Sequence, residues 1–99
     1  MVHHIVMWNL NDNLSVEEKK EAALEIKKRL EAVAEQVAGV ISLKVEINEM
    51  ASSNKDVALI SCFESEEALE AYQVSPAHKE AAAYVGSVVY GRSCLDYKE

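Results

Sequence analysis

The chain has 99 residues, 49% of them hydrophobic and 27% charged, a balance that fits one folded domain over residues 1–99 and excludes a disordered or fibrous chain. Seventeen acidic residues against ten basic ones give a formal net charge of −7, which repels phosphate backbones and anionic lipid, so neither nucleic acid nor membrane is an expected partner. There is no apolar run of membrane-spanning length and no cationic and apolar leader, and the two cysteines, Cys62 and Cys94, fit no metal or redox spacing; a cytoplasmic protein with free thiols is expected.

Val2 to Leu10 is rich in β-branched and aromatic residues. Val2, His4, Val6 and Trp8 fall on one alternating face and Ile5 and Met7 on the other, the pattern of a strand covered on both sides. Ser15 followed by Glu18 makes a capping box. From Val16 to about Ala38, Ala23, Ile26, Leu30, Val33 and Val37 recur at spacings of three and four, predicting an amphipathic helix that stops at a left-handed Gly39. The basic cluster Lys27, Lys28 and Arg29 lies among Glu25, Glu31 and Glu35 and reads as a solvated mixed-charge face.

Val40 to Glu49 alternates apolar with polar residues, as a strand near a sheet edge does. After the turn at Ala51 to Lys55, Asp56 to Phe63 predicts a second strand that is apolar on both faces. Ser65 opens a short helix to about Gln73 with Glu66 and Glu67 in its first turn. Ser75 and Pro76 start a second helical piece from Ala77 to about Val85, before Gly86, and Val88 to Tyr97 is a closing strand.

The order strand, long helix, strand, strand, helical segment, strand predicts an α+β, ferredoxin-like four-stranded antiparallel sheet with helices on one face. The first and third strands are nevertheless apolar on both faces, and a chain this short has no spare element for the second. A homodimer that packs sheet to sheet into an α+β barrel supplies the cover.

The N-terminal V-H-H-I-V-M, the strand ending F-E-S-E-E-A-L-E-A-Y, the Tyr72, Pro76 and His78 run Y-x-x-x-P-x-H and the terminal Leu95-Asp96-Tyr97 together resemble the stress-responsive A/B barrel (Dabb) family over nearly the whole chain. The resemblance implies a face-to-face dimer with a small-molecule-sized cavity shared between the two copies. Its members are functionally mixed: plant stress-responsive proteins stand beside olivetolic acid cyclase, a cofactor-free polyketide cyclase in which a tyrosine and a histidine matching Tyr72 and His78 serve aldol chemistry. By the same resemblance His4, Val6 and Trp8 face the pocket, and Leu59, Val89, Arg92 and Cys94 are expected to line it with them. One departure is Ser75, where many relatives carry histidine before the motif proline.

Read on its own residues, His78 is the third residue of a helix capped by Ser75. The positive end of the helix dipole disfavours the imidazolium there and suits a neutral base. Pro76 turns the chain between the two helical pieces, so Tyr72 and His78 can converge, the tyrosine polarising a substrate carbonyl while the histidine abstracts a proton without metal or cofactor. The opposing reading packs Tyr72 on its helix and ties His78 to backbone. His4 among apolar neighbours fits a hydrogen-bonded core residue as well as a pocket residue. Two histidines without a third placed ligand do not define a metal centre, so no metal or other cofactor is assigned. Arg92 is expected to pair with a carboxylate; Tyr84, Tyr90 and Tyr97 carry no signal.

The expected function is binding of a small, partly apolar molecule, with lyase- or cyclase-like acid–base chemistry on His78 and Tyr72. The alternatives are a non-enzymatic stress or stability protein, and a haem-binding monooxygenase-like protein with His78 as axial ligand.

Overall fold

The computed structural model describes residues 1–99. Strand β1 (Val2–Leu10) leads to helix α1 (Val16–Ala34), strands β2 (Val40–Ile47) and β3 (Val57–Phe63), helices α2 (Glu66–Val74) and α3 (Pro76–Val88), and strand β4 (Val89–Lys98). The four strands form one antiparallel sheet in the order β2-β3-β1-β4. The two strands expected to be apolar on both faces, β1 and β3, are the central pair, and the alternating β2 is an edge. A shortest extent of 18 Å leaves room for one helix layer on one sheet.

Register puts the helix-covered face together residue by residue. His4 pairs with Ser61, Val6 with Leu59 and Trp8 with Val57 across β1 and β3, and all six are buried. Ala22, Ala23, Ile26, Leu30 and Val33 lie down on that face from α1, and Leu69, Tyr72, Ala81 and Val85 from α2 and α3. Phe63, Ile26 and Tyr72 reach 0% exposure at its centre. The opposite face has no cover within the chain: Met7 and Ile60 are 37% exposed, Tyr97 43% and Leu95 60%.

The capping box is formed. Ser15 Oγ accepts from the Glu18 amide at 3.1 Å and Glu18 Oε1 from the Ser15 amide at 2.8 Å, and these bonds hold the Glu18 carboxyl below its ordinary pKa. The charged face of α1 is laced by Arg29–Glu25 (2.6 Å) and Lys27–Glu31 (2.7 Å) pairs. Lys27 and Glu31 also reach over to edge strand β2, where Lys27 Nζ donates to the Val45 carbonyl (3.0 Å) and the Val45 amide donates to Glu31 (3.1 Å).

Two predicted helix ends move. The first helix stops at Ala34, four residues short of Ala38, because the Glu35 and Gln36 amides turn back to Ala32 and Val33 in tighter i→i−3 bonds. Gly39 keeps its left-handed conformation, φ +87°, beyond that turn, and a Cβ there would lie 2.6 Å from Ala68 Cβ. Gly39→Ala is therefore expected to cost about 1–3 kcal/mol or more in a denaturant titration, from strain and from the clash with α2. The third helix does not end before Gly86 but runs through it to Val88, because Gly86 does not adopt the positive φ of a left-handed cap.

Candidate functional site

Between α3 and the covered face of the sheet lies a cavity of ≈ 330 Å³, a volume within the range of small-molecule sites. Its origin is legible in α3. His78, Ala82, Val85 and Gly86 share one helix face at spacings of four, three and one, and two of these positions are too small to reach the sheet. Leu30 of α1 closes one wall. The sheet supplies His4, Val6 and Trp8 from β1, Leu59 from β3, and Val89, Tyr90, Gly91 and Arg92 from β4. Gly91, at φ +67°, sits where the β1–β4 register slips between Met7 and Asn9, and the resulting bulge belongs to the cavity wall.

The structure thus gathers His4, Val6, Trp8, Leu59, His78, Val89 and Arg92 around one space, and it departs from the expected residues of that space at two positions. This cavity lies within the single chain, behind the sheet. Cys94 is not part of the lining: opposite Val6 in register, it stands with its Sγ 3.9 Å from His4 Nδ1 and 3.6 Å from Asp96 Oδ1. Tyr72 is not part of it either, being 0% exposed and stacked at a tilt between Phe63 (5.0 Å between centroids) and His78 (4.5 Å). Arg92 has no carboxylate within ion-pair distance, contrary to the expected pairing, because its β4 position turns it to the cavity, where no acidic side chain is present.

His78 is placed by Ser75. The Ser75 hydroxyl accepts from the His78 amide (3.2 Å) and donates to the Tyr72 carbonyl (2.8 Å), so one side chain starts α3 and ties it to the end of α2. The imidazole is then fixed by Nδ1 donating to the Gln73 carbonyl at 3.1 Å. That bond leaves the lone pair on Nε2. Burial lowers the His78 pKa from 6.5, outweighing the Gln73 bond that works the other way, so the ring is a neutral base.

The Tyr72 hydroxyl has no hydrogen-bond partner, and burial pushes its pKa up to about 12. It stays a phenol across the physiological range, a donor without an acceptor. On the far side of the site the His4 ring is buried, edge-on to Phe63, with Nδ1 donating to Asp96 Oδ1 at 2.5 Å; the His4 carbonyl accepts from Ser61 Oγ at 2.7 Å. Asp96 gains a partner that the sequence reading did not assign to it, although the antiparallel pairing of the first and last strands sets it opposite His4. Tyr90 bonds Asp12 at the cavity rim (3.2 Å), and Tyr84 carries the Arg29 guanidinium 4.4 Å above its ring. A wider groove of ≈ 490 Å³ at the β2–β3 turn contains neither histidine nor tyrosine.

The profile of the stress-responsive A/B barrel domain, Dabb, matches residues 2–99. The chain belongs to the Dabb family. A dimeric Bacteroides fragilis protein of unknown function and ferredoxin-like fold superposes on this Dabb chain with a TM-score of 0.92 at 28% identity, over 99% of this chain and 95% of that one. A protein from Arabidopsis thaliana gives a TM-score of 0.75 at 22% identity, over 100% and 95% of the two chains. SnoaB, a cofactor-independent oxygenase from Streptomyces nogalater, gives 0.75 at 8% identity over 99% and 91%, a likeness of fold alone. No curated protein matches the sequence. No helix of this Dabb protein is long and apolar enough to cross a membrane.

Proposed function

We propose that this Dabb protein is a sheet-to-sheet homodimer in which each protomer binds a small, partly apolar, oxygenated molecule behind its sheet and performs cofactor-independent proton transfer on it, His78 acting as base and Tyr72 as polarising acid. The observation that carries the reading is the unpartnered Tyr72 hydroxyl beside an imidazole whose free nitrogen is Nε2. A buried hydroxyl left without an acceptor costs about 1–3 kcal/mol; Tyr72 packs behind the cavity wall at 0% exposure, so its acid role requires the ring to be uncovered as a substrate carbonyl enters beside His78 and offsets that cost. A base and a hydroxyl acid held on one carbonyl compound are sufficient for proton abstraction alpha to that carbonyl, the first step of lyase- or cyclase-type chemistry. The apolar walls select the rest of the molecule, and Arg92, free of any protein carboxylate, favours an acidic or enolising oxygen.

The dimer rests on the uncovered apolar face and on the dimeric state described for the B. fragilis relative. With the cavity behind the sheet, pairing of the two copies serves stability and leaves each site complete in its own protomer.

The test is exchange of the alpha protons of an alkyl aryl ketone with deuterated water, followed by NMR. The protein is expected to accelerate exchange, and His78→Ala to lose that acceleration by roughly 100-fold or more while keeping its circular dichroism. Because the His78 pKa lies below 6.5, the neutral base persists as pH falls and the acid limb of the rate profile is expected below that value. Exchange no faster than in buffer, together with a retained small molecule in native mass spectra of the purified dimer, would replace the enzymatic reading with a non-catalytic binding protein.

A further inference from the structure

Beyond the acid–base site, and independently of it, three side chains meet where β1 and β4 pair. His4, Cys94 and Asp96 form the one cluster of three metal-ligating groups in the structure, with ligand atoms all within 4.8 Å of one another. The placement follows from sheet geometry. Cys94 and Asp96 are two residues apart on edge strand β4 and so point to the same face, and antiparallel register sets His4 of β1 directly opposite Asp96. Both further ligands come from a strand 90 and 92 residues along the chain from His4.

We infer that His4 Nδ1, Cys94 Sγ and Asp96 bind a divalent transition metal of borderline softness, zinc being the expected ion. One nitrogen, one thiolate and one carboxylate make a donor set suited to zinc and poorly suited to magnesium or calcium, which take oxygen ligands. Zinc bonds of about 2.3 Å to sulfur and about 2.0–2.2 Å to nitrogen and oxygen put tetrahedral ligand atoms ~3.3–3.7 Å apart. The Cys94–Asp96 distance of 3.6 Å already meets this and the Cys94–His4 distance of 3.9 Å nearly does. His4 and Asp96, at 2.5 Å, have to part by about 1 Å as the ion takes the place of the proton between them. Asp96 can make that movement, since its side chain is 44% exposed, whereas the His4 ring is held at 4% exposure between Phe63 and the sheet.

Three protein ligands leave a fourth position open, the arrangement of a zinc that also meets water or a ligand. Access is available from outside. Asp96 lines a second groove of ≈ 500 Å³ between α2 and the end of β4, where Glu66 is paired with Lys98 at 3.1 Å and Glu70 adds a further carboxylate. On the inner side the His4 ring is a wall of the ≈ 330 Å³ cavity, so an ion bound there lies at the boundary of that space. Binding releases the Cys94 thiol proton, while the His4 proton passes from Nδ1 to Nε2, and is therefore stronger at higher pH.

Titration of the metal-free protein with cobalt(II) chloride tests this directly, because a thiolate ligand adds a charge-transfer absorption that a carboxylate or imidazole does not. One cobalt per chain with that absorption is expected, abolished by one equivalent of zinc. The absorption should be lost in Cys94→Ser and kept in Cys62→Ser; Asp96→Asn, at a more exposed position than the buried His4, should weaken zinc binding at least tenfold with the fold intact by circular dichroism. Absence of the absorption in the parent protein at stoichiometric cobalt, its survival in Cys94→Ser, or its loss in Cys62→Ser would each overturn the site. Failure of the ketone exchange assay leaves this result untouched, since neither His78 nor Tyr72 is a ligand.

Discussion

Tyr72→Ala is expected to destabilise the protein by about 3–5 kcal/mol, the range for removing a large buried aromatic ring, and to do so in a molecule whose whole folding free energy is of the order of 5–15 kcal/mol. The ring is 0% exposed and fills the space between Phe63 and His78, so its removal opens a void where α2, α3 and the sheet meet. Tyr72→Phe separates the ring from the hydroxyl. The ring still packs, and the unpartnered oxygen, which costs free energy wherever it is not hydrogen bonded, disappears. Unfolding by urea is expected to show Tyr72→Phe as stable as the parent or more so by up to about 1 kcal/mol, while proton exchange on the ketone probe falls. A hydroxyl kept for packing alone would show neither gain in stability nor loss of exchange. A Tyr72→Phe variant clearly less stable than the parent would mean that the hydroxyl is satisfied inside the protein.

The second large effect concerns the uncovered face. Ile60 lies on central strand β3, opposite Ile5 of β1 and Lys44 of β2, with 37% of its surface exposed in the single chain. In a sheet-to-sheet dimer that side chain is in the interface. Ile60→Asp then buries a carboxylate with no partner, at a cost of several kcal/mol per copy, enough to turn a micromolar dimer into monomers. In the monomer the aspartate is solvated and the fold survives. Sedimentation velocity should show the parent as a dimer and the variant as a folded monomer with unchanged far-ultraviolet circular dichroism. A variant that remains dimeric would place the interface elsewhere and leave the exposed Met7, Leu95 and Tyr97 without an explanation.

The fold was readable because local and global signals agree at the same residues. Alternation in Val2–Leu10 both marks a strand and separates the face of His4 and Trp8 from that of Ile5 and Met7, and the structure keeps that separation. Helix ends were less readable. Gly39 and Gly86 look alike as stop signals, yet one takes a positive φ beyond a tighter turn and the other keeps a helical conformation inside α3. The site was legible in its parts and not in its assembly. Tyr72 and His78 could be named from the proline between them, but whether a tyrosine lines a cavity or packs behind it depends on the rotation of a nine-residue helix, which sequence spacing does not fix to better than a side chain. The cavity-facing Ala82, Val85 and Gly86 follow from His78 by helical periodicity alone. Asp96 required the pairing register of the first and last strands, the longest-range contact in the chain.

The salt bridge on α1 has a consequence beyond the helix that carries it. By occupying both the amide and the carbonyl of Val45, Lys27 and Glu31 fill hydrogen-bonding positions on the outer side of β2 that an incoming strand would need. A run of identical sheets joined edge to edge needs two free margins in every copy, and here one margin is partly occupied by the chain's own side chains. Strand addition at that margin would therefore have to break the Lys27 and Glu31 bonds to Val45 first, a cost that opposes fibrous growth through β2.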